Sequence, residues 1–339
     1  MLIAVICGAE DCEDIVEFGL GKESWLRTFL ELKRGVPSAD TFRRILAALD
    51  PAELEACMLR WLKGWKGYQR ATHVAVDGNR LRRTFDSASG KAALHMIGAL
   101  APESGVSLGQ LAVDSKENEI TALPGLLKLL DLKGATVTLD AMGCQTAIAG
   151  QIVARGGDDV LALKANQPTL HQDARLPLDE GMAKGFHGPH DVHEEADKAH
   201  GRVETRRVWA TADSAWFTGK DPWPGLRTWA AVECERTTGD PTRVERRYFI
   251  GSPPPDARAI AYAVRRHWQI ETGLHWILDV TFAEDRSRLR TGHSAENLGR
   301  LRRLALSLLK RETANKGGIE SNRLRAGWDE GYLLKLLAA

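Results

Sequence analysis

The sequence predicts an α/β fold, in which a mixed β-sheet with flanking helices is preceded by a small helical domain and interrupted by a β-rich insertion. Strand-like and helical patterns follow one another from His73 to Asn166, and helical patterning fills residues 1–68. Strand-like runs return between about 170 and 250, before two long helical stretches. The predicted division is a helical domain at 1–68, a main domain at 69–312 that contains the insertion, and a tail segment at 313–339.

The predicted sheet is built from apolar runs bounded by turn residues. THVAVD is the first strand, and HMIGALAPESG with VSLGQLAVDS predicts an antiparallel hairpin around a Pro/Gly-containing turn. Ile120, Leu123, Leu127 and Leu130 form a helical stripe, and ATVTLD and DVLALKAN are the next two strands. This order predicts a mixed sheet with helical crossovers.

The N-terminal region has helical spacing, and Ser38 is a candidate N-cap for a helix that begins at Ala39. The apolar start, Leu2 to Cys7, opens directly on the initiator Met and ends at Gly8. A helix that packs against a core needs a cap and more length than this. We therefore expect the helical domain to lack its beginning and to be less stable than the main domain.

Residues 170–250 are too long for a plain loop, and ETRRVWAT, TWAAVEC and VERRYFIG within them predict strands. His187, His190 and His193 have a spacing that resembles a zinc cluster. Because no helical pattern surrounds them, a solvated loop is the favoured interpretation.

The composition narrows the class of protein. Net charge is +1, which gives no global signal for a nucleic-acid partner, but residues 286–311 hold eight Lys or Arg against the single acid Glu296. The five cysteines are scattered without CxxC spacing, which argues against a disulfide framework or a structural zinc site and fits the cytoplasm. The N-terminal apolar run is too short for a membrane span or a signal peptide.

Three acidic residues are the main candidates for chemistry. Asp77 and Asp140 each close a strand-like run, and sites in open α/β sheets lie at strand carboxyl ends; a turn-capping role is the alternative. Glu271 has helical spacing with Val264 and Leu278, which predicts a buried face shared with Trp268 and His275. An ion pair with Arg265 or Arg266, or an exposed helix, is the alternative for Glu271. Three clustered carboxylates would need hard cations between them, such as two Mg²⁺ ions.

Two further groups are candidates for binding DNA. Lys164, Asn166 and Gln167 follow the fifth strand, where they could reach a phosphate or a base, although an ordinary loop is the alternative. Arg300, Arg302 and Arg303 are predicted to lie largely off the apolar stripe of their helix, where they could bind phosphates or simply be solvated.

Nine motifs are spread over nearly the whole chain: CGAEDCEDIVEFG, WLRTFLELKRGVPSADTF, VAVDGNRLRRT, SLGQLAVDSKENEITALPGLLKLLDLKGATVTLDAMGCQ, VLALKANQ, HGRVETR, RRHWQIETGLHWILDVTFAED, AENLGRLRRLALSLLK and RLRAGWDEGYLLKLL. Together they resemble the motifs of the H-repeat-associated transposases of bacterial insertion sequences. The resemblance implies a catalytic domain with a ribonuclease-H-like fold. It also implies that Asp77 in VAVDG, Asp140 in TLDAMGCQ and Glu271 in HWQIE are the three catalytic acids of a DDE triad.

Further expectations follow from the resemblance. The three acids would bind Mg²⁺ or Mn²⁺ ions, two in number, and the enzyme would cut and join double-stranded DNA at element ends and in a target. A homodimer or larger assembly on DNA is expected, at the nucleoid in the cytoplasm. A stand-alone nuclease or a DNA-binding remnant without activity are the alternatives.

The chain departs from the usual family pattern at several positions. Asn79 and Arg80 stand where Lys and Thr usually follow the Asp-Gly pair, and Arg83 and Thr84 stand where Gly and Ser are usual. Related groups have Tyr, Arg and Lys around the catalytic Glu. Because Val264, His267 and Leu278 occupy those positions here, no phosphate contact is assigned to them.

Overall fold

The computed structural model of the chain describes residues 1–65, 69–85, 92–113, 118–199, 202–217, 223–237, 243–313 and 315–338. The strands are β1 (His73–Leu81), β2 (Leu94–Ala101), β3 (Val106–Val113), β4 (Thr136–Leu139), β5 (Asp158–Leu163), β6 (His190–Ala199), β7 (Arg202–Thr211), β8 (Thr228–Thr237) and β9 (Arg243–Gly251). The helices are α1 (Leu2–Ile6), α2 (Cys12–Gly21), α3 (Glu23–Leu26), α4 (Ala39–Ala48), α5 (Pro51–Lys63), α6 (Glu119–Leu129), α7 (Thr146–Ala154), α8 (Pro168–Lys184), α9 (Ala257–His267), α10 (Trp276–Val280), α11 (Ser294–Arg311), α12 (Ile319–Trp328) and α13 (Glu330–Leu337). A π-helical turn spans Glu271–His275, and 3₁₀ turns span Arg82–Thr84 and Glu284–Arg286.

The nine strands form one mixed sheet in the order β3-β2-β1-β4-β5-β9-β8-β7-β6. β4 lies parallel to both β1 and β5, and helices cross between these strands, whereas β2 and β3 form an antiparallel pair. β6 to β9 pair antiparallel in sequence, and β9 joins them to β5. The predicted mixed sheet with flanking helices and a β-rich insertion is confirmed.

The chain divides into two compact units that do not follow sequence order. The first unit contains Met1–Arg70, Gly78–Asn118 and Ile270–Ala339, and the second contains Ala71–Asp77 and Glu119–Gln269. This division does not test the predicted domain boundaries at residues 68 and 312, which stay a prediction.

α11 is the central helix of the first unit. Its residues from Ser294 to Leu309 are buried except Glu296, so it is covered on all sides rather than along one stripe. Asn297 fixes it to the end of α4, because its side-chain amide donates to the carbonyl oxygens of Leu46 and Leu49 at 2.8 and 2.9 Å. Ser38 caps α4 as predicted, since its hydroxyl accepts from the Thr41 amide.

In the second unit, α9 packs on the insertion strands through apolar residues that include Ile260, Val264, Val208 and Phe249. The insertion holds more regular structure than the sequence predicts. The prediction of a solvated loop around His190 and His193 is wrong, because both residues lie in β6, which pairs with β7 over ten positions.

α8 lies at the start of the same insertion. Its buried residues Leu170, Ala174, Leu178 and Gly181 have spacings of four, four and three, a helical period that the polar residues around them obscure. Within the described residues, no helix is both long and apolar enough to cross a membrane.

Candidate active site

The two aspartates lie on adjacent parallel strands of the second unit. β1 and β4 are paired up to Val76 and Leu139, so Asp77 and Asp140 occupy the next matched position. Neighbouring strands lie about 4.8 Å apart, which brings the two backbones close together at this position. Both residues are half-buried, at the point where β4 ends. The first and fourth strands are thus neighbours in the sheet.

Two sets of hydrogen bonds hold the loop after Asp140, one to Asp140 itself and one from the residues that follow β5. Asp140 Oδ1 accepts from the backbone amides of Met142 and Gly143 at 3.0 and 3.2 Å, which turns the chain towards α7. Asn166 Nδ2 donates to the Ala141 carbonyl at 2.7 Å, and Gln167 Nε2 donates to the Cys144 carbonyl at 3.0 Å. Asn166 and Gln167, predicted as DNA contacts, therefore fasten the loop that carries Asp140. Their DNA contacts stay a prediction.

Lys164 lies at the end of β5 with an exposed side chain. Its charge reaches His267 and is one cause of the low pKa of that imidazole. An exposed ammonium at a strand end is accessible to a phosphate, so the structure is compatible with its predicted role. No feature of the residues described tests that role directly.

A buried network of two imidazoles and one hydroxyl lies on the same face of β4 as Asp140. Thr138 Oγ1 is 2.9 Å from His73 Nε2 and 2.9 Å from His267 Nδ1, so it links β1 and β4 to the end of α9. Burial lowers the pKa of His73 to about 4, and the charges of His267 and Arg266 contribute. Burial also lowers the pKa of His267 to about 4. Both imidazoles are therefore neutral at pH 7. Sequence reasoning missed this network, although His73 at a strand start and Thr138 inside a strand are unusual polar residues for buried positions.

Glu271 begins the π-helical turn and is exposed. The predicted buried face is confirmed for Val264 and Leu278 and is wrong for Trp268, which is 45% exposed, and for Glu271. The prediction assumed a continuous α-helix, but α9 ends at His267 with Trp268 as its C-cap, and the π-helical turn with its i→i+5 hydrogen bonds begins at Glu271. The backbone of the π-helical turn, and not an apolar helix face, therefore sets the direction of the Glu271 side chain.

The acids that follow Glu271 in the chain, Glu284 and Asp285, have structural partners. Glu284 is 1% exposed, and its two carboxylate oxygens accept from the Arg303 guanidinium at 2.8 and 3.2 Å. Asn79 Nδ2 donates to the same carboxylate at 3.3 Å. Asp285 accepts from the Arg82 backbone amide at 3.2 Å. These contacts explain Glu284 and Asp285 without a metal ion. The role of Glu271 as the third acid stays a prediction.

The three arginines of α11 are buried, so the alternative of a solvated helix face is wrong. Arg300 pairs with Glu55 and Glu296 at 2.9 and 2.8 Å. Arg302 donates to the Glu10 carbonyl at 2.8 Å, and Arg303 pairs with Glu284. Glu55 and Glu284 lie outside α11, so periodicity along that helix cannot reveal them, whereas Glu296 lies one turn before Arg300 on the same helix. Their predicted contact with DNA stays a prediction, and it would require them to leave these partners.

Carboxylate oxygens are the ligands that Mg²⁺ and Mn²⁺ prefer, so the chemistry of Asp77 and Asp140 suits a divalent cation. Among the residues that the structure describes, no group of three or more His, Cys, Asp or Glu side chains forms a ready metal site. Asp77 and Asp140 belong to the second unit and Glu271 to the first.

Two family models match the chain. The model of the transposase DDE domain matches residues 69–308, and the model of a domain associated with it matches residues 1–62. Together these matches cover most of the sequence.

Several curated proteins are similar to the chain over much of its length. "Putative transposase YncI" of Escherichia coli O157:H7 is 35% identical over 340 residues, which cover 99% of this chain and 87% of that protein. "H repeat-associated putative transposase YhhI" of Escherichia coli K12 is 33% identical over 345 residues, which cover 99% and 90%. A protein in the dhlA 3′ region of Xanthobacter autotrophicus is 43% identical over 256 residues, which cover 75% and 85%.

Among solved structures, the piggyBac transposase synaptic complex with hairpin DNA aligns with 100% of this chain and 81% of that chain. The TM-score is 0.43 and the identity is 9%. A likeness this distant carries no argument about the present chain.

Proposed function

The chain belongs to the DDE transposases, and we propose that it cuts and joins DNA strands with a catalytic triad of Asp77, Asp140 and Glu271. The resemblance to H-repeat-associated transposases agrees with the relatives of that name. The observation that best supports the triad is the matched position of Asp77 and Asp140 on adjacent parallel strands.

In this proposal, the three carboxylates bind two divalent ions, Mg²⁺ or Mn²⁺. When bound, such ions activate a water molecule or a DNA 3′-hydroxyl for attack on a phosphodiester and stabilise the leaving oxygen. The protein's own contribution is the orientation of its ligands. The hydrogen bonds from Met142 and Gly143 fix one oxygen of Asp140, and Asn166 fixes the loop behind it.

The proposed substrates are the double-stranded ends of an insertion element and a target DNA. Lys164, an exposed side chain at the end of β5, is proposed to meet a phosphate of these substrates. We further propose that a homodimer or larger assembly holds two element ends, and that the enzyme acts at the nucleoid in the cytoplasm.

The test is a strand-transfer assay with the purified full chain, labelled element-end DNA and Mg²⁺ or Mn²⁺. Joined products are expected, and a chelator should abolish them. Cleavage without joining would indicate a stand-alone nuclease, and DNA retention without chemistry would indicate a binding remnant.

Three variants test the triad itself. Asp77→Asn, Asp140→Asn and Glu271→Gln should each abolish cleavage while DNA binding stays nearly unchanged, because each removes a metal ligand rather than a phosphate contact. Asp173→Asn, at a half-buried position of α8, is the matched control and should cleave normally. Normal cleavage by any of the three variants would remove that residue from the triad.

A further inference from the structure

Lys310 makes an unusual contact with the π-helical turn in the first unit. It is the second-last residue of α11, and its Nζ donates to the carbonyl oxygen of Gly273 at 2.6 Å. Gly273 is the middle residue of the turn that begins at Glu271. The end of α11 is thus hydrogen-bonded directly to the segment that carries the proposed third catalytic acid.

The lysine fits between two glycines. A Cβ atom built on Gly105, in the turn between β2 and β3, would lie only 2.5 Å from Lys310 Cδ. A Cβ atom on Gly273 would lie 3.4 Å from Lys310 Nζ. Gly105 leaves room for the stem, whereas the distance at Gly273 is that of an ordinary contact. The path of this side chain is therefore defined by Gly105 at its stem and by the hydrogen bond to the Gly273 carbonyl at its end.

Burial makes the position of the ammonium group costly. Removal from water lowers the pKa of Lys310 to about 8. A buried ammonium group is stabilised only where acceptors replace water, and a carbonyl dipole is such an acceptor. A hydrogen bond from a charged donor is also stronger than a neutral one. The contact with Gly273 consequently stabilises both the lysine and the carbonyl that it meets.

A π-helical turn is rare and needs local support, because an α-helix is the common conformation for such a segment. Ile270, Leu274 and Leu278 are buried here at spacings of four, and Glu271 is exposed beside them. Rewinding the turn as an α-helix would rotate the residues before it relative to those after it, by up to about 100° for one residue of shift. The direction of Glu271 therefore depends on whether the π-turn is kept.

We propose that Lys310 is a positioning residue that holds the π-helical turn in place and so sets the direction of the Glu271 carboxylate. The role of that carboxylate as a metal ligand rests on the proposed function. The contact of Lys310 with the turn does not, so the two can be tested separately.

The first experiment measures amide hydrogen exchange in the full chain, comparing wild type with Lys310→Met. Exchange at residues 271–278 should be about tenfold faster or more in the variant, since a hydrogen bond from a charged donor is removed. The first turns of α11 should keep their protection. Lys335→Met, at a lysine of α13 that pairs with Glu312, is the matched control and should leave residues 271–278 unchanged. Unchanged exchange there in Lys310→Met would overturn the proposal.

A conservative variant separates hydrogen bonding from packing. Lys310→Arg keeps charged donors, and its exchange at residues 271–278 should stay nearer to wild type than that of Lys310→Met. Equal loss of protection in both variants would assign the effect to packing and overturn the proposal. Should Lys310→Met not fold, Lys310→Gln, whose amide is too short to reach Gly273, takes its place in both comparisons.

The second experiment measures Mn²⁺ binding by calorimetry on the same proteins. Lys310→Met should bind Mn²⁺ about tenfold or more weakly than wild type, as is usual when a group that orients a metal ligand is removed. Wild type that binds no Mn²⁺ would defeat the proposed function, while the exchange result would still decide the role of Lys310. Equal Mn²⁺ affinity in wild type and Lys310→Met would overturn the positioning of Glu271.

Discussion

Glu284 and Arg303 form a bidentate ion pair that is almost completely buried, with 1% and 2% of the two residues exposed. The same carboxylate accepts from Asn79, two residues after Asp77 in the chain. The pair therefore links α11 to the 3₁₀ turn at Glu284 and to the last part of β1 within the first unit.

Arg303→Ala should lower the free energy of unfolding by about 3–5 kcal/mol, because it leaves the Glu284 carboxylate buried without its cation. The measurement is urea unfolding at pH 7. The double variant Arg303→Leu with Glu284→Leu should recover much of this loss, since no charge is then left unpaired in the interior.

Arg27→Ala is the matched control, because Arg27 pairs with Glu23 at 2.7 Å in a largely exposed position. An exposed pair of this kind contributes about 0.3–0.5 kcal/mol. A loss as small as this in Arg303→Ala would mean that the buried pair does not stabilise the first unit.

The sequence predicted features that depend on local pattern. Apolar runs identified β1 and β4, because burial on both faces of a parallel sheet leaves a continuous apolar signature. The predicted end of the first strand at Asp77 is wrong, since β1 continues to Leu81. Ser38 was identified as a cap because its hydroxyl acts on the next turn of its own chain.

Features that depend on distant partners were not predictable in this way. Arg300 is buried because Glu55, from another helix, neutralises it, and nothing in the spacing of α11 indicates that partner. The π-turn at Glu271 depends on packing at Ile270 and Leu274 and on Lys310, whereas spacing alone predicts an ordinary helix. Tertiary contacts decided these features against the local pattern.

The next prediction separates loop positioning from DNA contact at the end of β5. Asn166→Ala should slow cleavage by about tenfold or more, because the Ala141 carbonyl loses the donor that holds the Asp140 loop. DNA binding and its dependence on salt should stay as in wild type. Cleavage rates and a plot of log affinity against log salt check both expectations.

Lys164→Ala, unlike Asn166→Ala, should change the salt dependence of DNA binding. Its plot of log affinity against log salt should be less steep than that of wild type by about 0.9, because the variant can no longer neutralise one phosphate. Gln172→Ala, at an exposed amide on α8, is the control for both variants. A less steep salt plot in Asn166→Ala would return that residue to direct DNA contact.

A third prediction concerns Asp159, a carboxyl group buried in β5. Among the described residues neither of its side-chain oxygens has a hydrogen-bond partner, and burial raises its pKa to about 7 from 3.8. Because the folded-state pKa is the higher one, the stability that this group contributes is complete below pH 3.8 and is lost as pH rises to about 7.

Asp159→Asn removes this titration, so its stability relative to wild type should increase from pH 4 to pH 7 and level off above. The difference in free energy of unfolding between the variant and wild type should grow by about 1.4 kcal/mol per pH unit at most. Urea unfolding of both proteins at pH 4.5, 6 and 8 is the measurement. Asp173→Asn, at a half-buried position of α8, is the control for the same substitution. A constant difference across this range would show that Asp159 is ionised in the folded protein.

The last prediction follows from the imidazoles of His73 and His267 on either side of Thr138. The hydroxyl of Thr138 can donate to one ring nitrogen and accept from the other, which requires at least one imidazole to present a lone pair. Both pKa values fall to about 4 from 6.5 in the folded protein. With lowered folded-state values, the stability that these groups contribute is complete above pH 6.5 and is lost as pH falls to about 4.

His73→Gln keeps a polar atom near the position of Nε2 but cannot titrate. Its stability relative to wild type should therefore improve as pH falls from 6.5 towards 4, by about 1.4 kcal/mol per pH unit at most. Taking the difference between the two proteins cancels the opposite contribution of Asp159, which both retain. His171→Gln, at a half-buried histidine of α8 outside the network, is the control and should follow wild type more closely. If His73→Gln and wild type lose stability in parallel down to pH 4.5, the imidazole of His73 already carries its proton in the folded protein, and the network must then be held by a different arrangement of donors.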